Sequence, residues 1–395
     1  MSTLKVDAIR HNSATSDAIT TASDGTCTAK LTSINGGTQL SNRRINVNGA
    51  MTICQKDTSK SGNADNGYPL VTDMVNYRRT GGWSGTTWTV SQNSQTPTTL
   101  SPFTHFTRWT QAGTVQNAPN NTSTSLQYGI EGQDMAHAMW GTSSAKSCTL
   151  SFYVRSSQAG TFCIWLVNTN TNYNYIIEYT ISAANTWQRI THTIPGPTSG
   201  TFNTSNDAGC RFYFQIAAHA ASSSYGGGTK NVWNTSGRWT SNQSTAVSAN
   251  AGATWDITGI QFEVGDTATS FEHRSYQDEF LRCCRYYYKL ERRFTAAGRG
   301  AGSSAYLASV STPVPLRAQP TLGTGTNSSS EGFSIRVYKY DGISDSSATP
   351  TVGTGGWAAG NNHITIYQGS HSVVDDRVLN IYMGGGYIDF NSEMT

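Results

Sequence analysis

Three kinds of residue in this chain have the chemistry to act on another molecule: carboxylates, histidines and large aromatics. Cleaving a glycosidic bond takes two carboxylates facing each other across a cleft. The adjacent pairs here are Asp278-Glu279 and Asp375-Asp376, both in polar, surface-like sequence. Chain neighbours seldom oppose each other across a cleft. The eight histidines are scattered, and none stands at metal-ligand spacing from another. HExxH, GxSxG and GKS/T are absent, and the glycine-rich stretch at Gly298 lacks the third-glycine spacing of a nucleotide loop. No clustered Asp/Asn pattern for calcium stands out either. The expectation is a protein without catalysis, with no catalytic residue, no metal site and no cofactor.

Aromatics remain. Trp83, Trp88, Trp233, Trp239, Trp357 and Tyr225 all lie in sequence rich in Gly, Ser, Thr and Asn. A flat indole or phenol face matches the C–H face of a sugar ring, and nearby amides and hydroxyls can hydrogen-bond its hydroxyl groups. These six are the candidate glycan-binding residues. The alternative for each is packing over a sandwich edge or against a neighbouring subunit. Tyr225, Trp233 and Trp239 sit in the insertion 217–250, which is too polar and glycine-rich for core and long enough to be functional. Trp165 and Trp187, within or beside strand-like runs, read as core.

The elements that must carry these residues are β-strands. Only 13% of the 395 residues are charged, with 39 Gly and 19 Tyr, a composition of β-structure with polar loops. Residues 1–40 hold isolated apolar positions between turn signals and cannot bury them alone, so they read as an N-terminal extended arm. Residues 41–269 read as a β-sandwich. Its entry segment, 41–55, alternates Ile45, Val47, Met51 and Ile53 as a strand broken at Asn48-Gly49. Residues 56–125 look loop-heavy, their tryptophans too widely spaced for one amphipathic face. From Ser125, short runs separated by turns give the sandwich signature, with TFCIWLV and CRFYFQIA as central strands and Leu150, Phe152 and Val154 facing a core. Residues 270–290 form a junction with a short helical turn, and 291–395 a second, smaller antiparallel sandwich. The fold class is all-β.

Charge and cysteines exclude some classes. The net charge is +3 and is concentrated at Phe271–Arg317, with eight Lys/Arg against four Asp/Glu. No tract has the density of a nucleic-acid site. In this region Glu272, Arg274, Asp278 and Arg285 read as pins between two domains or two subunits. Seven cysteines without CxxC spacing read as free, buried apolar side chains of a protein made in a reducing cytoplasm. No apolar run reaches a membrane span, so no membrane insertion is expected.

Several stretches resemble phage virion proteins of the tail-fibre type, especially those of marine and cyanobacterial podophages. They are STLKVDAI near the start, NRRINVNGAM at Asn42–Met51, YGIEGQD at Tyr128–Asp134 and CTLSFYVRSSQAGTF at Cys148–Phe162. TWQRITHTIPG at Thr186–Gly196, the long ITGIQFEVG…CCRYYYKL stretch at Ile257–Leu290, and PVPLRAQPT at Pro313–Thr321 complete the set. The Ile257–Leu290 stretch is the specific one. The resemblance implies a jelly-roll domain like those of carbohydrate-binding modules and a distal β domain. It also implies a homotrimer, attached to other tail or virion proteins through the arm and touching a host-surface glycan. Such a protein is assembled in the host cytoplasm and resides in the virion. It supplies no catalytic residue. A purely architectural adaptor or decoration protein, and a virion glycan depolymerase, are the alternatives; depolymerases usually carry long β-helix repeats, and none is visible here.

Overall fold

The computed structural model describes residues 6–9, 19–21, 23–24, 27–29, 42–63, 72–96, 98–119, 121–168, 173–218, 225–243, 245–291, 295–300, 306–325, 334–339, 342–346, 351–352, 363–368, 379–385 and 387–393. Among the described residues of 1–40 there are three short strands. Strands β1 (Ala8–Ile9), β2 (Ile19–Thr21) and β3 (Cys27–Ala29) pair antiparallel in that order.

The sandwich follows, with β4 (Ser59–Asn63), β5 (Val75–Thr80), β6 (Thr86–Ser94), β7 (His105–Gly113), β8 (Ser123–Glu131) and helix α1 (Gly132–Met135). Then come β9 (Cys148–Ser156), β10 (Gly160–Val167), β11 (Asn174–Ile181), β12 (Gln188–Ile194), β13 (Ala208–Ala218) and β14 (Thr254–Val264). One sheet runs β11-β10-β13-β8-β5 and the other β12-β9-β14-β7-β6-β4. β10 and β13 are central in the first, as their apolar runs predict. β14, the last sandwich strand in sequence, lies in the middle of the second sheet.

Alternation fills the space between the sheets. Leu150, Phe152 and Val154 of β9 are fully buried, as are Phe162, Ile164 and Leu166 of β10. Phe212 and Phe214 of β13 meet them from the same side as β10, and the Phe152 and Phe214 rings lie edge to face at 5.2 Å. The described residues of 56–125 are strand-rich rather than loop-heavy. Thr and Gln interleave with Trp88, Val90 and Trp109 in β6 and β7, which keeps the period of two but hides it from a hydrophobicity count. The aromatics converge: Tyr77 stacks on Trp109 at 5.4 Å, and Trp88 meets Trp109 edge-on at 6.0 Å.

Residues 42–54 correct another expectation. They form no strand, although Ile45, Val47, Met51 and Ile53 are buried. Asparagine side chains replace the ladder. Asn46 Oδ1 accepts from the Phe262 N–H at 2.8 Å, and its Nδ2 donates to the Ile260 carbonyl at 2.8 Å. Asn48, at φ 55°, bonds to both the N–H and the carbonyl of Ile53. The segment plugs one end of the sandwich.

Helix α2 (Tyr276–Cys284) leads to β15 (Tyr287–Glu291), β16 (Thr295–Gly300), β17 (Tyr306–Ser311), β18 (Thr321–Gly325), β19 (Ser334–Lys339), β20 (Gly342–Ser346), β21 (Thr351–Val352), β22 (His363–Gln368), β23 (Leu379–Gly385) and β24 (Tyr387–Asn391). These make a sheet β15-β24-β18 and a sheet β20-β19-β23-β16-β17-β22-β21, all antiparallel. The chain is all-β apart from short helices.

Candidate functional site

Alternation that buries Phe162, Ile164 and Leu166 must turn Cys163, Trp165 and Val167 to the other side of the sheet. The outer face of the five-stranded sheet is therefore not an ordinary polar surface. One register row across it runs Ile176, Trp165, Tyr213, Gln127 and Asn76. The next carries Glu178 and Cys163 on one side and Gln215, Ser125 and Arg78 on the other. Trp165, expected in the core, belongs to this face. Its strand parity is one residue out of step with the core positions Ile164 and Leu166.

The loop 225–243 folds onto the same face. Asn231 N–H donates to the Ile176 carbonyl at 2.9 Å, and Asn234 and Asn174 exchange backbone hydrogen bonds at 2.7 and 2.9 Å. Lys230 Nζ pairs with Glu178 at 2.6 Å and the Ser241 hydroxyl donates to the same carboxylate at 2.8 Å. Partial burial raises the Glu178 pKa, but the bonds from Lys230 and Ser241 outweigh it, and the carboxyl sits below its ordinary value. Cys163 N–H donates to Gln243 Oε1 at 3.1 Å. The rings then form a series: Tyr225 stacks on Trp239 at 3.9 Å, Trp239 on Trp165 at 5.2 Å, and Trp165 lies 4.9 Å from Tyr213.

Beside this series are polar groups with no hydrogen-bond partner among the described residues. They are Trp165 Nε1, Gln215 Nε2 and Asn76 Oδ1, all buried atoms. Two are donors and one an acceptor. An unpaired buried polar group costs about 1–3 kcal/mol. A hydroxyl-bearing ligand, which donates and accepts at one atom, is the chemistry that satisfies such a mixture.

The six aromatic candidates divide. Tyr225 and Trp239 join the outer-face series, although two near-parallel partners leave little of the Trp239 faces for a sugar. Trp88 is a correction: it lies inside β6, 1% exposed, in the core between the sheets. Trp83 packs on the core edge, its Nε1 donating to the Thr80 carbonyl at 3.1 Å with the Arg79 guanidinium 5.7 Å from the ring. Trp233 closes one edge of the sandwich, stacked on Tyr173 at 5.3 Å, with Nε1 bonded to the Pro195 carbonyl at 2.8 Å. Trp357 lies outside the described residues. Trp187, also expected in the core, lies on the outer side of the six-stranded sheet under the Arg155 guanidinium, 4.7 Å away. The sequence did not mark Trp165, Tyr213, Asn76 and Gln215 as a site, because TFCIWLV is apolar at both parities and leaves the outward one unmarked.

The charged residues near α2 build a seam. Arg44 and Glu279 form a buried ion pair, and Glu279 also accepts from the Asn48 N–H. Glu272 accepts from the Arg44 N–H at 2.8 Å, and Arg274 donates to the Arg44 and Asn46 carbonyls. Arg285 holds Glu131 with two bonds, at 2.9 and 2.6 Å, and reaches the Pro315 carbonyl at 3.4 Å. Asp278 pairs with Arg282 along the helix at 3.2 Å, both half-exposed. Glu279 faces inward while Asp278 faces out, so the two never share a cleft; Asp375-Asp376 lies outside the described residues. A cleft of about 530 Å³ opens along the seam, lined among others by Lys56, Tyr276, Phe280 and Tyr288. Its charges are committed, Lys56 to Glu393 and Lys289 to Glu291, at 2.6 and 2.7 Å.

Among the described residues no group of three or more His, Cys, Asp and Glu could hold a metal, and no helix is long and apolar enough to cross a membrane. Cys148, Cys163, Cys210, Cys283 and Cys284 are buried and unbridged, and burial raises the Cys148 and Cys283 thiols well above their ordinary range.

No family model matches the sequence, and no curated protein matches it. Among solved structures, the enzymatically active domain of tailspike protein 4 of bacteriophage CBA120 matches at 11% identity and TM-score 0.28, over 48% of this chain and 19% of that one. A sugar-binding protein, described as putative, from Bacteroides thetaiotaomicron matches at 10% identity and TM-score 0.31, over 56% and 99%. TmCBM61, solved with β-1,4-galactotriose, matches at 9% identity and TM-score 0.25, over 48% and 88%. With identities and TM-scores this low, none of these likenesses carries an argument about what the chain does.

Proposed function

We propose that this chain is a fibre-type structural protein of a phage virion whose sandwich recognises a host-surface glycan. The outer face of the five-stranded sheet carries the reading. There Trp165 and Tyr213 lie in one register row with Gln127 and Asn76, beside buried polar atoms that lack partners among the described residues. Aromatic area next to mixed donors and acceptors is the chemistry of sugar recognition. The resemblance of Ile257–Leu290 to tail-fibre proteins supports the virion setting, the homotrimer and the attachment of residues 1–40 to other tail proteins. The role is binding without bond cleavage. Three copies raise avidity with no new contact per site.

Trp165→Ala and Asn76→Ala are expected to weaken retention on host-envelope polysaccharide by about tenfold or more, the equivalent of roughly 1.4 kcal/mol. Tyr276→Ala, an exposed site on α2 away from this face, leaves retention unchanged. Equal retention of all three variants overturns the reading and favours an architectural adaptor. Release of oligosaccharides by the purified protein overturns the non-catalytic role. Light scattering should give three chains per particle; a monomer contradicts the trimer.

A further inference from the structure

We propose that a cavity beside the seam is a binding site for a small carboxylate carried on a flat apolar body. The cavity has a volume of about 270 Å³. Its walls come from the 42–54 segment, the start of β7 and the 271–279 stretch, none of which belongs to the five-stranded sheet. Thr258 holds two of these walls together, its Oγ1 lying 2.8 Å from the His105 carbonyl oxygen and 3.2 Å from that of Ala50. Arg274 is the residue that calls for a ligand. It lines the cavity, and its side chain is 5% exposed. Nη1 and Nη2 donate to the carbonyls of Asn46 and Arg44, while Nε is buried with no hydrogen-bond partner among the described residues. Glu272 and Glu279 stand 3.8 and 3.9 Å away, and both already accept from Arg44. Burial, then Arg44 and Arg282, lower the Arg274 pKa, and the two glutamates do not make up the difference. A buried guanidinium in that setting is short of an oxyanion.

Two imidazoles line the same cavity. The His273 ring meets Phe271 at 4.7 Å and Phe103 at 5.5 Å, and its nitrogens have no hydrogen-bond partner among the described residues. His105 places Nδ1 2.9 Å from Thr104 Oγ1. Burial lowers both below the ordinary imidazole value, and Arg44 adds to the effect at His273, so both are neutral at pH 7. The charges around them are Arg44 from 42–54, Glu272 and Arg274 before α2, and Glu279 on α2, which balance; across β6, the neutral Ser94 faces His105. A carboxylate placed here would favour the imidazolium forms, so binding takes up protons and tightens as pH falls. The rest of the ligand follows from the walls. A lone oxyanion would fill little of the volume. Phe271 and Tyr276 line it, with the Phe103 ring behind Phe271 at 4.9 Å, which suits a flat apolar body. Amides, which pair with sugar hydroxyls by offering donors and acceptors together, are missing from its lining among the described residues.

The test is calorimetric titration of the full-length protein with benzoate, with benzyl alcohol as its uncharged counterpart and glucuronate as a sugar acid. Each is run at about pH 5.5 and about pH 7.5, where benzoate is ionised throughout. Benzoate is expected to bind at one site per chain, about tenfold tighter at the lower pH and at least about tenfold tighter than benzyl alcohol. Arg274→Lys keeps the charge but removes Nε, and should lose about tenfold. Should that variant melt early, His273→Ala decides: it removes an exposed ring that holds no hydrogen bond among the described residues. It should weaken benzoate at the lower pH and flatten the pH dependence, which a merely structural role would not do. No binding of benzoate at about 10 mM overturns the site. So does benzyl alcohol binding as tightly as benzoate, or benzoate binding unchanged in both variants. Glucuronate binding more tightly than benzoate overturns the apolar body and makes this a sugar-acid site.

Discussion

Trp88 and Trp165 are both strand tryptophans flanked by small or apolar residues, yet they work on opposite sides of a sheet. Trp88 sits at a core parity, locked edge-on against Trp109. Trp88→Ala should cost about 3–5 kcal/mol in urea unfolding, as large core truncations do. Trp165→Ala should cost markedly less, because its ring is half-exposed and packs against a loop. Parity within a strand was legible: Leu150, Phe152 and Val154 alternate visibly and are all buried. Which parity meets the second sheet was not legible in a run as apolar as TFCIWLV, where both faces look buried. The same limit hid the site, since Asn76 and Gln215 are amides on strands and nothing in their own sequence marks the row they share with Tyr213 or Trp165. Asp278 and Glu279 show the helical version. Adjacent acids point about 100° apart on a helix, so one reaches Arg44 and the other only Arg282.

At the scale of elements, α2 and the 42–54 segment depend on each other. α2 opens on Ser275, whose side chain accepts from the Asp278 N–H at 3.1 Å. Ser275→Ala should lower stability by about 1 kcal/mol, read from the denaturation midpoint. The burial of Glu279 makes a sharper case. Glu279→Ala leaves Arg44 buried without its carboxylate and is expected to cost about 3–5 kcal/mol. Gly49→Ala should also destabilise, because an added Cβ would collide with the Ile260 carbonyl oxygen. Denaturant titration of each variant checks these outcomes. Sequence alternation in 42–54 correctly marked Ile45, Val47, Met51 and Ile53 as buried. It misassigned the backbone, because Asn46 and Asn48 supply from their side chains the hydrogen bonds a strand would take from a neighbour, and a hydrophobic pattern cannot register that substitution. A short helical turn within 270–290 was legible in the sequence, and α2 lies there.

For the whole molecule, the seam between the sandwich and the C-terminal strands is the feature that sets behaviour. Gln55 Nε2 donates at 2.7 Å to Asp73 Oδ2 and at 2.7 Å to the Tyr287 carbonyl, joining the two parts. Asp73 is buried, and burial raises its carboxyl to about 6, against the pull of Lys56 and the Gln55 bonds. A carboxyl raised in the folded state holds its proton more tightly than the unfolded chain does. Its contribution therefore favours folding below the ordinary carboxylate range, falls as pH rises towards about 6, and is flat above that. Comparing wild type with Asp73→Asn across this window should show a shallower fall in the variant; parallel profiles would contradict the assignment. Little of this was legible, since Asp73 and Glu393 are 320 positions apart in sequence and both read as ordinary polar residues.

The seam also constrains how such a gene can be shuffled. Cys283 and Tyr286 belong to the sandwich core although they follow its last strand, and Arg317 donates to carbonyls of Asn206, Ser392 and Glu393. A crossover placed just after β14 would give Arg44 a foreign segment in place of Glu272 and Glu279, and would empty part of the core. Exchange of segments between related genes should therefore tolerate breakpoints before residue 42 and select against those between β14 and the C-terminal strands, because Arg317 and Glu393 tie those strands back to Asn206 and Lys56.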